Sequence, residues 1–275
     1  MITSQKTKNK FALITSLLLL TSGLARAGAI HIENGLTREF SVKPGAKVES
    51  SIVIMNSSSE PQQVKVYQVD YSFKADGKTL YGNPGSLPRS NCTWMTVAPK
   101  QLNIPGNSSA SAYFTINVPD KTNLTGTYWS VIMVEPVAEG SLEPPKQGQG
   151  KVAVGIKTVM RYAIQVVANI GDTGNRAIQI VHKEILTDNA GHILALDVEN
   201  TGERWLRPSI KVEIYDEKGI LVGRFDGNRI RIYPGCSQRS SVKLGRLEAG
   251  KYTALVLIDN GDDSVWGAQY ELEIK

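Results

Sequence analysis

The sequence predicts an all-β protein built as two tandem immunoglobulin-like β-sandwich domains that follow a cleaved signal peptide. Three observations carry this. Short runs with apolar residues at every second position recur from Ile30 to the C-terminus. Turn residues such as Asp76-Gly77, Asn83-Pro84-Gly85, Pro234-Gly235 and Asn260-Gly261 separate them at intervals of about ten residues. Between residues 30 and 137 no stretch carries a 3.6-residue apolar stripe.

The chain opens with Lys6, Lys8 and Lys10, continues through an apolar run at 11–20, and reaches Ala25-Arg26-Ala27 before Gly28. This is the layout of a secretory signal over residues 1–27, too short in its apolar part for the ~20 residues that span a bilayer. The expected mature chain is exported and has no transmembrane segment. Its loss takes four cations and no acid, so the net charge falls from +5 to +1. A near-neutral chain without an arginine-lysine stripe is a poor match for nucleic acid. Two cysteines, Cys92 and Cys236, are too few for a disulfide framework. They either pair across the chain or stay as isolated thiols.

Strands are expected at 38–42, 48–55, 63–71, 111–118 and 127–135. Tyr67, Tyr71, Phe73 and Tyr81 lie around an apparent hairpin, and the stretch from Tyr71 to Asn91 has no assigned role. A loop at 139–150, rich in proline, glycine and glutamine, precedes the longest alternating run, residues 151–167. There Val152, Val154, Ile156, Met160, Tyr162, Ile164 and Val166 share one parity. Such a strand would span roughly 50 Å, more than one small sheet pairs. It either passes between domains or lies in part at a sheet edge, where another chain can add a strand. The break at Gly171 to Asn175 divides a first domain, 28–170, from a second, 171–275. In the second, strands are expected at 178–186, 193–199, 209–215, 221–225, 229–233, 240–244, 252–258 and 269–274.

Catalytic signals are weak. His31, His182 and His192 lack metal-ligand spacing, and neither a nucleophile elbow nor a phosphate-cradling glycine loop occurs. Asp259-Asn260-Gly261-Asp262-Asp263 fits a hairpin turn better than a calcium loop. No enzyme, metal or cofactor is therefore expected. Asparagines 56, 91, 107 and 123 begin glycosylation triplets of minor weight. Trp94, Tyr113, Phe114, Tyr128 and Trp129 read as core packing before they read as a binding surface.

Several stretches resemble the periplasmic pilus chaperones of the PapD family. Leu36-Thr37-Arg38 is similar to the first strand, where the family has an arginine after a threonine. Residues 48–56, VESSIVIMN, resemble the second strand with its terminal asparagine, and residues 131–136, VIMVEP, the penultimate strand of the first domain. Val152, Val154 and Ile156, followed five positions later by Arg161, reproduce the spacing of apolar donor residues and a basic cleft residue. The family's residue is usually lysine.

The resemblance implies a periplasmic, non-enzymatic chaperone that lends a β-strand to pilus or fimbrial-type subunits and passes them on, with an outer-membrane usher as a second partner. Val152, Val154 and Ile156 would fill apolar pockets of the subunit. Arg38 and Arg161 would clamp its terminal carboxylate. Arg161 stands on the parity opposite to the donor residues, which requires a bulge or strong twist. The rival readings are a cell-envelope adhesion or cell-wall-binding protein using the aromatic residues, and, more weakly, an exported enzyme with a loop-built site.

Overall fold

The computed structural model describes residues 29–137 and 159–275. The expected signal at 1–27 and the loop at 139–150 lie outside the described residues. The first half contains β1 (Ile30–Ile32), β2 (Thr37–Val42), β3 (Lys47–Asn56), β4 (Gln62–Phe73), β5 (Thr79–Gly82), β6 (Met95–Ala98), β7 (Gln101–Ile104), β8 (Ser108–Asn117), β9 (Gly126–Pro136) and β10 (Tyr162–Ile170). One sheet runs β1-β3-β8-β6 and the other β2-β10-β9-β4-β5, with β7 also on β4. Period two decides which faces meet: Ile52, Ile54, Phe114 and Ile116 of the first sheet are buried with Val64, Val66, Ile132, Ile164 and Val166 of the second. Each such side chain contributes about 1.5–3 kcal/mol.

The second half contains β11 (Ile178–Asp188), β12 (Gly191–Asn200), β13 (Ser209–Asp216), β14 (Leu221–Asp226), β15 (Ser237–Gly245), β16 (Gly250–Asp259) and β17 (Val265–Ile274). Its sheets run β11-β12-β15 and β14-β13-β16-β17. Leu194, Leu196 and Val242 from one meet Val212, Ile214 and Val256 from the other. The protein is thus all-β, with two sandwiches of the immunoglobulin-like kind, and among the described residues no strand pairing joins them. Between them the chain turns at Gly171, whose φ of +49° favours glycine.

Two expectations need correction. The strand expected at 229–233 is an irregular segment tied at one bridge, Leu206 to Ile232. Its neighbour on the facing segment is Pro208, whose carbonyl accepts from Ile230 N–H at 3.1 Å but which has no N–H to return. The long strand is described only from Tyr162 onward, and Val159 and Met160 ahead of it are exposed and outside any strand. The short strands β1, β6 and β7 carried too few residues for a period to register.

Both sandwiches close on the same corner. Asn56 ends β3, and its Nδ2 donates to Glu60 O at 2.8 Å and Ile104 O at 3.0 Å, while its Oδ1 accepts from Ser58 N at 3.0 Å. Asn200 ends β12, and its Nδ2 donates to Arg204 O at 2.6 Å and Ile232 O at 2.9 Å, while its Oδ1 accepts from Gly202 N at 2.9 Å. The stretches after the anchored carbonyls are Ile104-Pro105-Gly106 and Ile232-Tyr233-Pro234-Gly235, the second longer by one residue. Asn56 and Asn91 are fully buried with their amides engaged, so neither is open to glycosylation in the folded chain. Replacing Asn56 or Asn200 by alanine orphans several buried backbone groups at once. Each change is expected to cost ~2–4 kcal/mol, read as a lower urea midpoint; an unchanged midpoint refutes the corner's role.

Candidate functional site

The site is built on an asymmetry of β10. On one side β9 pairs with its whole length, from Tyr162↔Val134 to Ile170↔Gly126. On the other side β2 joins, in parallel, only from Gln165↔Thr37 onward. The first bond of that pairing is Gln165 N–H to Leu36 O at 2.9 Å. Upstream, residues 162–164 have no strand on this side among the described residues. A residue's N–H and C=O share one side of a strand and alternate along it, so Ala163 presents both toward the open edge.

β2 starts late because the chain changes sheets just before it. β1 pairs with β3 of the opposite sheet, and the crossing is fixed by Asn34, whose Nδ2 donates to Ser51 O and whose Oδ1 accepts from Val53 N, both at 3.1 Å. Gly35 follows with φ +80°.

Arg38 sits in the first turn of strand beyond this crossing, opposite Val166. Its side chain is on the inner face: Nε reaches Ser51 O of β3 at 3.4 Å, and Nη1 donates to Gly35 O and Thr37 O, both at 3.2 Å. Nη2 is buried without a partner. Burial holds the Arg38 pKa below the usual arginine value, and no carboxylate among the described residues pairs with it.

Arg161 lies five residues before Val166, ~16 Å along the strand, and on the other face. It is exposed, one step before the Tyr162↔Val134 pair and so beside Glu135. The Tyr67 hydroxyl donates to Glu135 Oε2 at 2.6 Å, which raises the Tyr67 pKa, and the nearby positive charge of Arg161 opposes that shift. The two guanidiniums share no hydrogen-bond or ion-pair partner among the described residues. Alternation along β10 is regular from Tyr162, so opposite parity means opposite faces. Val152, Val154 and Ile156 lie outside the described residues.

The outer face of β9 and β10 is covered by the second sandwich, which sequence reasoning missed. Trp129 and Val167 are buried in the second half's apolar cluster. Tyr233 stacks on Trp129 with centroids 4.8 Å apart and on Trp205 at 5.0 Å, and its hydroxyl donates to Gln165 Oε1 at 2.5 Å. The β4–β5 hairpin closes the far side: Lys74 Nζ donates to Gly235 O at 2.8 Å and Ser237 Oγ accepts from Ala75 N at 3.0 Å. A polar chain crosses the near side. Arg207 lies over Trp205 at 3.9 Å and pairs with Glu39. Glu39 accepts from Asn169 Nδ2 at 2.9 Å, and Asn169 Oδ1 from Thr127 Oγ1 at 2.6 Å. The available signal was residues 129–134, WSVIMV, apolar on both parities and buried throughout. Of the aromatic residues weighed as a surface, Trp129 and Phe114 are buried and only Tyr113 is broadly exposed.

Buried Asp70 organises the stretch from Tyr71 to Asn91, accepting from Gly85 N at 3.2 Å, Ser86 Oγ at 3.0 Å, Leu87 N at 2.7 Å and Ser90 Oγ. Among the described residues no group of acids, histidines and cysteines is arranged to hold a metal, and no helix is long and apolar enough to cross a membrane.

No family model and no curated protein matches the sequence. Among solved structures the chain is similar to the class 5 fimbriae chaperone CfaA, at TM-score 0.45 and 14% identity over 90% of this chain and 99% of that one. It is similar to the E. coli chaperone DraB at TM-score 0.41 and 15% identity, covering 89% and 98%. A third is the CsuC–CsuE chaperone–tip adhesion subunit pre-assembly complex of Acinetobacter baumannii, at TM-score 0.43 and 11% identity, covering 88% and 98%.

Both cysteines are free and buried. Burial first, then the nearby Asp70 charge, push the Cys92 thiol up to about 12, and burial raises Cys236 as well. At pH 8 Cys92 is therefore held as the unreactive thiol. The native chain is expected to react with a thiol reagent such as Ellman's only on unfolding; fast reaction in the folded state contradicts this burial.

Proposed function

We propose that this protein is a periplasmic chaperone that stabilises fimbrial-type subunits by lending them the backbone ahead of β10. The observation that carries the reading is the edge of β10 upstream of Gln165, which among the described residues is paired on one side only. An incomplete sandwich has the complementary defect, a missing strand, and main-chain bonds along such an edge give affinity without regard to side chains. Val152, Val154 and Ile156, on the parity of the buried residues Ile164 and Val166, supply the apolar contacts.

Arg38 suits the end of the partner strand. A strand running parallel to β10 along its open edge stops where β2 begins, and Arg38 stands there with a buried, unpartnered Nη2. A terminal carboxylate at that point satisfies the orphan donor and compensates a charge that burial disfavours. Arg161, held against Tyr67 and near Glu135, marks the take-off of the lent segment from the sheet and acts separately from Arg38. Binding needs no nucleotide, and hand-over to the next subunit, at an usher, proceeds by displacement of the lent strand.

Arg38→Ala and Val154→Asp are expected to lower recovery of a soluble periplasmic complex with the subunit at least tenfold, without lowering the urea midpoint of the free protein. Arg161→Ala is expected to act more weakly. Undiminished recovery with both Arg38→Ala and Val154→Asp refutes the reading.

A further inference from the structure

A partner lying on the edge of β10 leaves unused a pocket on the outer face of the same sheet. It has a volume of about 340 Å³ and lies where the β4–β5 hairpin meets the second sandwich. Phe73 and Tyr233, in edge-to-face contact at 6.2 Å, give it an aromatic wall. Gln165 enters from β10, Lys74 from the hairpin, and Arg231 and Gln238 from the second sandwich.

The polar groups of this pocket present hydrogens. Tyr233 donates its hydroxyl proton to Gln165 Oε1, and the Arg231 backbone N–H donates to Gln238 Oε1 at 3.0 Å. With both amide oxygens engaged, both NH2 groups remain, and neither has a partner among the described residues. Lys74 uses one hydrogen on Gly235 O and stands 3.6 Å from Glu199, leaving donors free. Arg231 is exposed and, like Arg229 and Arg246, has no ion-pair partner among the described residues, whereas Arg204, Arg207 and Arg239 of the same half are each paired with an acid. No residue lining the pocket is acidic.

Donors converging over an aromatic wall select an anionic acceptor carried on a short apolar stem. We infer that this pocket takes an aspartate or glutamate side chain of the bound partner, and that Arg231 is the residue that recognises it. The inference rests on the strand-lending reading in one respect, that a partner segment reaches this place. Gln165 supplies the link, since it both lines the pocket and marks where β2 ends the open edge. An arginine matches a carboxylate with two parallel bonds, which lysine does not.

The pocket is testable without the partner. Trp129 and Trp205 both stack on Tyr233, so intrinsic fluorescence of the full chain reports on its occupancy. Titration with acetyl-Phe-Glu-amide and acetyl-Phe-Gln-amide is expected to show at least fivefold tighter binding of the acidic dipeptide, a preference lost in Arg231→Gln. Equal affinities, no binding, or a preference that survives Arg231→Gln overturns the proposal. These dipeptides are too short to complete a strand, so that outcome is independent of strand lending, whose own failure appears as undiminished complex with both Arg38→Ala and Val154→Asp. In the complex, Arg231→Gln is expected to cut subunit recovery at least fivefold; unchanged recovery overturns the assignment to the partner.

Discussion

The crossing of the chain from one sheet to the other at Asn34 and Gly35 is the constraint on which the rest depends. A first strand that serves both sheets cannot cover the full edge of β10, because its early residues are committed to β3. The Asn34 side chain fixes the place of the crossing by bonding Ser51 and Val53, and the positive φ of Gly35 makes the change of direction cheap there. From these local facts follow the start of the β2 pairing at Gln165, the exposed backbone of Ala163, and the position of Arg38 at the stop. An open edge is ordinarily a hazard that a fold conceals. Here, among the described residues, it spans 162–164, and it ends at Arg38, whose buried Nη2 lacks a partner.

The outer face of the same sheet is organised by the opposite logic. It is closed, by Tyr233 on Trp129, by the hairpin carrying Phe73 and Lys74, and by the polar chain from Arg207 through Glu39 and Asn169 to Thr127. β10 thus has an inner face in one core, an outer face at the junction, and an edge partly open, so a group docking on the edge is within a side chain's reach of the second half. Gln165 is the residue where these environments meet.

The sequence disclosed the alternation, and with it the class of fold and most of the longer strands, because period two survives wherever one face is buried. It disclosed less of the strands buried on both faces: Trp129 read as core packing, although it belongs to the second core while Ile132 and Val134 of the same strand belong to the first. The segment 229–233 alternates like a strand while its neighbour ends in a proline, and pairing partners are not visible in a single stretch of chain. The separation of Arg38 from Arg161 was hidden for a related reason. Their spacing to nearby motifs was legible, but which face each occupies depends on register between β2 and β10, which is set by the crossing at Gly35. Arg231 and Gln238 carried no motif, and they matter only through where Tyr233 places them.

The two asparagine corners differ by a single inserted residue, and that residue is Tyr233. Because each corner satisfies its own backbone, the extra position was free to leave its own half and grip the other. Coupling through Tyr233 is therefore an addition to a self-sufficient corner, set beside the contacts that Lys74, Ala75 and Arg207 make across the same junction.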